Sequence, residues 1–478
     1  MLFNSFSFLL FFPTICLLYF ILPHRFRWVL LLAGSYYFYM NWQPVYALLL
    51  LGSTLITYGC ALLIEKEGTK KRKKFFLVLS LLLNFGILFF FKYFNFINES
   101  IFALLSHYNL RWEVPNLTLL LPVGISFYIF QAVGYSIDVY RGNLKAEKHF
   151  GIYAVFVSFF PQLVAGPIER AKNLLPQFYK VHHFEHHRVV QGLKLMLWGY
   201  FMKLVVADRL SLYVDSVYNN VEHHNGTSML LATFFFCFQI YGDFAGYSYI
   251  AIGAAKVMGF NLMTNFNHPY FAKSISEFWG RWHISLSTWF RDYVYISLGG
   301  NRVSFPRWQL NLLITFLISG IWHGANWTFV FWGLLHGLFL IGSNSFKRQF
   351  PRMSQLLLMQ NANSSFANVL GIATNFLLVY FAWIFFRANS LNDAFTIVAG
   401  LFSAPEMPYF GGNGSYLFYA FFGIILLMAV EYMREYYPRV SLFEHPKIEI
   451  RYSTYTVLVV IILMIGVFDG GQFIYFQF

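Results

Sequence analysis

Long apolar runs alternate with short polar interruptions along the whole chain. The runs cover roughly residues 3–22, 27–42, 45–64, 75–96, 117–139, 150–166, 188–206, 228–258, 308–321, 325–343, 367–386, 415–431 and 454–469. Many approach the ~20 residues an α-helix needs to cross a hydrocarbon core of about 30 Å. Others are too short to cross alone, and non-crossing backbone survives at membrane depth only where protein covers it. The pattern therefore predicts an all-α polytopic membrane protein with about 10–13 membrane segments, some of them re-entrant or interfacial. Neither an internal repeat nor a low-complexity linker divides the sequence, so residues 1–478 read as a single integral membrane domain.

Composition agrees: 58% of residues are hydrophobic and 12% charged. The formal net charge of +13 does not argue for nucleic acid, because the basic residues lie in short loops between apolar runs. Such loops face the cytoplasm under the positive-inside rule. The strongest marker is "EKEGTKKRKK", residues 65–74. Counting back from it puts Arg25 and Arg27 inside, Asn41–Pro44 outside and the N-terminus outward. Counting forward puts Asn98–Asn116 outside and Arg141–Lys148 inside. The first run lacks a basic leader and a small-residue cleavage site, and reads as a retained span. Cys16, Cys60 and Cys237 fall in separate apolar runs without metal-ligand spacing, and read as small core residues.

Residues 265–307, "NFNHPYFAKSISEFWGRWHISLSTWFRDYVYISLGGNRVSFPR", break the alternation. They are too polar for a lipid-facing span and too aromatic for an ordinary loop. Ser274 and Glu277 have capping-box spacing and predict a helix starting near Ile275. On one continuous helix Ser276, Gly280, His283 and Ser287 share a face, with Phe278, Trp282 and Trp289 on another. The segment reads as a re-entrant or interfacial element lining a polar cavity, or as an amphipathic helix at the membrane surface.

"SGIWHGANWTFVFWGLLHG", residues 319–337, places His323 and His336 in an apolar run. Ionisable residues in such runs are costly and mark a site or an interhelical hydrogen bond. A neutral imidazole can take a proton from an alcohol and return it. Gly320 with Gly324, and Gly333 with Gly337, allow close helix approach. Trp327, four residues after His323, is the expected aromatic wall. On one unbroken helix the two histidines point about 220° apart and do not converge. Gln239, Asp243 and Tyr247 form a polar stripe in "FQIYGDFAGYSYI", either a cavity wall or an interhelical cluster. "VHHFEHHRVV", residues 181–190, has paired histidines at helical spacing but reads as a solvated interfacial element, not a metal site. Phosphate-binding, nucleophile-elbow and HExxH motifs are absent.

Four blocks, "PQLVAGPIER" (161–170), residues 243–270, residues 276–302 and residues 319–337, closely resemble the membrane-bound O-acyltransferases. "WIFFRA" (383–388) and the terminal "FIYFQF" extend the similarity. Within that family the chain resembles the branch that O-acetylates alginate and peptidoglycan. The resemblance implies a ring of tilted helices around a thin centre, with cavities from each side meeting near an essential histidine, His323. A second polar position maps onto His283, with catalytic motifs contained in residues 161–337. Asn326, Trp327, Trp282, Ser287, Arg291, Asp292, Gln239 and Asp243 are the further candidate substrate or cavity residues. The expected donor is acetyl-CoA, with no bound cofactor or metal. The expected partner is an extracytoplasmic esterase-like (SGNH-type) acetyltransferase that reaches the polysaccharide. The location implied is the bacterial cytoplasmic (inner) membrane. A D-alanyl transferase of teichoic acids and a non-enzymatic transporter are the rival readings.

Overall fold

A computed structural model describes residues 1–350, 365–410, 414–439 and 442–468; the terminal "FIYFQF" lies outside them. Among the described residues every regular element is a helix, and eight helices are long and apolar enough to cross a membrane. The chain is an all-α polytopic membrane protein. It divides into two compact units, Met1–Met196 with Ile250–Met263, and Leu197–Tyr249 with Thr264–Phe478.

The first unit holds α1 (Phe6–Ile21), α2 (His24–Met40), α3 (Ala47–Lys66), α4 (Lys70–His107), α5 (Ile125–Arg141), α6 (Phe150–Ser158), α7 (Phe160–Leu163) and α8 (Ala171–Phe178). Small hydroxyls and one amide join these helices. Ser53 donates to Asn84 Oδ1 at 2.5 Å, Ser80 and Ser136 meet at 3.2 Å, and Tyr153 donates to Thr57 at 2.6 Å. In an apolar solvent such bonds, with van der Waals packing, replace the missing hydrophobic drive between helices. Two expected spans are corrected here. Residues 117–124 are not helical; Leu117 is bonded through both backbone groups to the Asn95 side chain, and Gly124 turns at φ 73° to start α5. The run 150–166 is broken between α6 and α7, where Phe159 leaves helical geometry just ahead of Pro161.

"PQLVAGPIER" has a clear local task. Glu169, 2% exposed, accepts from Asn173 Nδ2 at 2.7 Å and from the Met263 N–H. Gln177 brackets Asn261, donating to its carbonyl at 3.0 Å and accepting from its N–H at 2.8 Å. These bonds fix the turn that follows Met258. Of the "VHHFEHHRVV" histidines, His183, His186 and His187 are exposed.

The second unit takes the later part of α9 (His186–Tyr218) and most of α10 (Gly226–Met258). It continues with α11 (Ile275–Arg281), α12 (Ile284–Phe290), α13 (Phe305–His323), α14 (Trp327–Gln349), α15 (Ser365–Arg387), α16 (Leu391–Gly400), α17 (Ser415–Tyr436) and α18 (Ile448–Ile465). None of the eight candidate spans falls between Met258 and Trp327. α13 and α14 form a tight antiparallel hairpin, in which Gly320 and Gly333 face each other with no room for a Cβ on either. Gln309 donates to Ser345 at 3.0 Å at the far end of the hairpin.

Candidate active site

Two helix breaks build the site; the first falls where the sequence predicts continuous helix, the second between the expected runs 308–321 and 325–343. The first lies between α11 and α12. Ser274 caps α11 as expected, accepting from Glu277 N at 3.2 Å, while the Glu277 carboxylate accepts from Lys273 N at 2.9 Å. The helix then stops at Arg281. His283 sits in left-handed geometry at φ 43°, ψ 53°, and its Nδ1 caps α12 by accepting from Leu286 N at 3.3 Å. That conformation is unfavourable for a residue with a Cβ and persists only where surroundings dictate it. Asn265 dictates it here. Its carbonyl accepts from Ile284 N at 2.8 Å, its side chain takes Ser285 Oγ at 2.8 Å, and its amide donates to Ser248 at 3.1 Å. Asn267 N adds a bond to Arg281 O at 2.9 Å.

A second clamp closes over the first turn. Arg281 makes a two-pronged pair with Glu435 of α17, both bonds 2.9 Å, and a third with Glu277 at 2.7 Å. His268, also left-handed at φ 43°, meets the same Glu435 carboxylate at 3.1 Å. Burial holds the His268 ring below the usual imidazole range, with Glu435 opposing the shift. The guanidinium thus supplies the permanent positive charge of this cluster.

The break corrects the expected face. Ser276, Gly280 and Ser287 do line one cavity, of about 730 Å³, together with Arg291. His283 does not share that wall: the turn rotates it inward, fully buried, against Phe244 at 4.5 Å between ring centres and near Trp322 at 6.1 Å. Trp282, expected with the cavity residues, packs instead among Phe266, Phe278 and Trp383. Arg291 Nε is held by Asp292 at 2.8 Å.

The second break lies between α13 and α14, at Gly324–Asn326. Asn326 caps α14 by accepting from Thr328 N at 3.1 Å and donates to Asn389 O at 3.0 Å. Trp327, the expected wall, opens α14 and is 53% exposed. Close walls of His323 are Trp332 at 4.9 Å and Phe386 at 5.2 Å, with the ring 2% exposed. Because the chain reverses, His336 approaches the same Trp332 at 4.8 Å and accepts from Trp279 Nε1 at 3.3 Å. The histidines that one straight helix would keep apart therefore share an indole.

Sequence reasoning missed a stripe on α13. Asn311, Thr315, Ser319 and His323 recur every four residues and are all buried. Thr315 and Ser319 line the cavity, so the stripe leads from it towards the buried imidazole. The i, i+4 spacing was available in the sequence but hidden by the apolar residues between. At the other end of the hairpin stand Arg291, Arg302, Arg307, Lys347 and Arg348, with Arg348 over the Phe305 ring at 4.2 Å. Phe305 and His323 are separated by about 27 Å of helix rise.

Asp243 resolves as an interhelical cluster. Lys203, inside an apolar run, reaches both Asp243 and Asp208 at 2.8 Å, and all three are buried. Gln239 and Tyr247 are buried on the same helix. A sequence window averages Lys203 away, which is why it was overlooked.

A buried imidazole one helical turn beyond the cavity-lining part of a polar stripe suits acyl transfer to an alcohol, since its aromatic surroundings limit the access of water. The comparisons agree on the class: the chain belongs to the membrane-bound O-acyltransferase family, whose pattern matches residues 149–386. It is an enzyme, an acyltransferase embedded in a membrane. The "Probable alginate O-acetylase AlgI" of Pseudomonas aeruginosa is 40% identical over 84% of this chain and 75% of its own length. A peptidoglycan O-acetyltransferase of Helicobacter pylori is 34% identical over 78% and 73%. A teichoic acid D-alanyltransferase of Bacillus subtilis is 27% identical over 56% and 69%.

Proposed function

We propose that this enzyme takes an acetyl group from acetyl-CoA on the cytoplasmic side and passes it outward for O-acetylation of a cell-envelope polysaccharide. The observation that carries the reading is the polar stripe of α13: Thr315 and Ser319 line a cavity that Arg291 also lines, and buried His323 stands one helical turn beyond. Clustered Lys and Arg favour the cytoplasmic side and suit the phosphates of coenzyme A. The thioester would reach the polar stripe; His323 would take the proton of the incoming alcohol as its oxygen attacks the carbonyl, and would return it to the coenzyme A sulfur as the C–S bond breaks and the free thiol leaves. The acceptor end is an extracytoplasmic esterase-like partner of SGNH type, in the cytoplasmic membrane of a bacterium, with the N-terminus of this chain outward.

The test is thiol release from acetyl-CoA by the purified protein in detergent. His323→Ala should abolish release and envelope acetylation at unchanged membrane abundance. Retention of more than a small fraction of activity would remove His323 from the mechanism. A D-alanyl carrier-protein thioester, offered in parallel, should not be consumed; its turnover in place of acetyl-CoA would favour the teichoic acid reading.

A further inference from the structure

α17 and α18 are among the three least enclosed of the eight candidate spans, with 28% and 11% of their apolar windows buried against 17% for α4. Between them lies a groove of about 460 Å³. Its floor is apolar, from Leu426 and Val430 on α17 to Val457 and Ile461 on α18, and Trp198 closes the base. From Glu449 to Ile461 the groove follows α18 for about 18 Å.

One end of this groove is charged on both sides. Arg434, in the last turn of α17, and Glu449, in the first turn of α18, both line it. They do not pair with each other. The Arg434 guanidinium lies over Trp198 at 4.9 Å and Phe443 at 5.9 Å. The nearby carboxylates are committed elsewhere: Glu435 to Arg281 and His268, and Glu431 to the Tyr241 hydroxyl. Glu449 is exposed at the rim. A cation resting on aromatic faces keeps its N–H edge available for an anion.

We propose that this groove is a binding site for a zwitterionic, ethanolamine-type phospholipid. An acyl chain lies along the apolar floor, the phosphate meets Arg434 and the ammonium meets Glu449. The argument is charge complementarity. An anionic phosphoglycerol lipid would satisfy Arg434 and face repulsion from Glu449, whereas phosphoethanolamine satisfies both. Most of the apolar surface of α17 and α18 is uncovered, so a lipid would reach the site sideways from the bilayer.

The test is native mass spectrometry of the full chain, exchanged in mild detergent with equal amounts of phosphatidylethanolamine and phosphatidylglycerol of matched acyl chains. The unsubstituted protein should retain the ethanolamine lipid at least about fivefold over the glycerol lipid, a preference of roughly 1 kcal/mol. Glu449→Gln, at an exposed position that leaves the fold intact, should abolish that preference while lipid is still retained. Arg434→Gln should lose both lipids, and Arg434→Lys should recover binding. Equal retention of the two lipids by the unsubstituted protein would overturn the proposal. So would an unchanged preference in Glu449→Gln, which would leave the two charges as helix-end residues only.

Discussion

His283 concentrates two duties in one residue, a left-handed backbone and a ring. Its Nδ1 already caps α12, and its other edge faces Phe244 and Trp322. Asn is the substitution that separates the duties, because it tolerates left-handed geometry and caps helices well. His283→Asn should leave membrane abundance and thermal midpoint nearly unchanged. If the ring orients the acyl group or stabilises the developing oxyanion, turnover should fall on the order of 10²-fold. His283→Gln should add a fold defect of about 1–2 kcal/mol, from the strained turn and the weaker cap. Normal turnover in the Asn variant would make His283 a capping residue and no more. The sequence marked His283 and His323 as unusual, since imidazoles are rare in apolar runs. It could not orient either ring, because orientation depends on where the helix stops. The stop at Trp282–His283 comes from Asn265, eighteen residues earlier in the chain.

The elements of this site are defined by their interruptions. α11 and α12 are short, and their relative angle is fixed by contacts to other parts of the chain: the Asn265 bonds on one side and the pairing of Arg281 with Glu435 of α17 on the other. The clamp makes Arg281 and Glu435 positioning residues for the turn that carries His283. Glu435→Gln removes the charge and keeps the shape. It should lower stability by about 1–3 kcal/mol and reduce kcat by roughly tenfold or more through misplacement of the turn. KM for the acyl donor should change little. Steady-state kinetics normalised to folded protein separates these effects, and an unchanged kcat would confine the clamp to stability. Apolar periodicity revealed most of the helices here, including α13 and α14, because each buries a wide apolar surface. It separated the runs 308–321 and 325–343 but did not reveal that the chain reverses tightly between them, at Gly324–Asn326. "HGAN" carries a glycine and a good capping residue, which mark a helix boundary but not the direction in which the chain leaves it. With the reversal in place, Gly320 and Gly333 become a contact between two helices, and Trp332 joins His323 to His336.

At the scale of the whole molecule, function depends on which groups face which side of the bilayer. Residues 265–307 hold α11, seven residues long, and α12, which continues as a π-helical turn to Tyr295, so that the two rise about 10 and 18 Å, and none of the eight candidate spans lies there. Such pieces are too short to cross, and their polar backbone ends are covered by Asn265, Ser274 and His283. The segment should therefore enter and leave on one side. Lys273 and Arg302, both exposed near its two ends, are the positions to probe. Single cysteines there, in a background where Cys16, Cys60 and Cys237 are replaced, should react with a membrane-impermeant maleimide from the same face. The positive-inside rule assigns that face to the cytoplasm, as it does for "EKEGTKKRKK". A cysteine at Lys70 should thus label together with them in inside-out vesicles and remain protected in intact cells. Labelling of Lys273 and Arg302 from opposite faces would turn the segment into a transmembrane helix. It would also place the basic end of the hairpin on the wrong side for a cytoplasmic acyl donor.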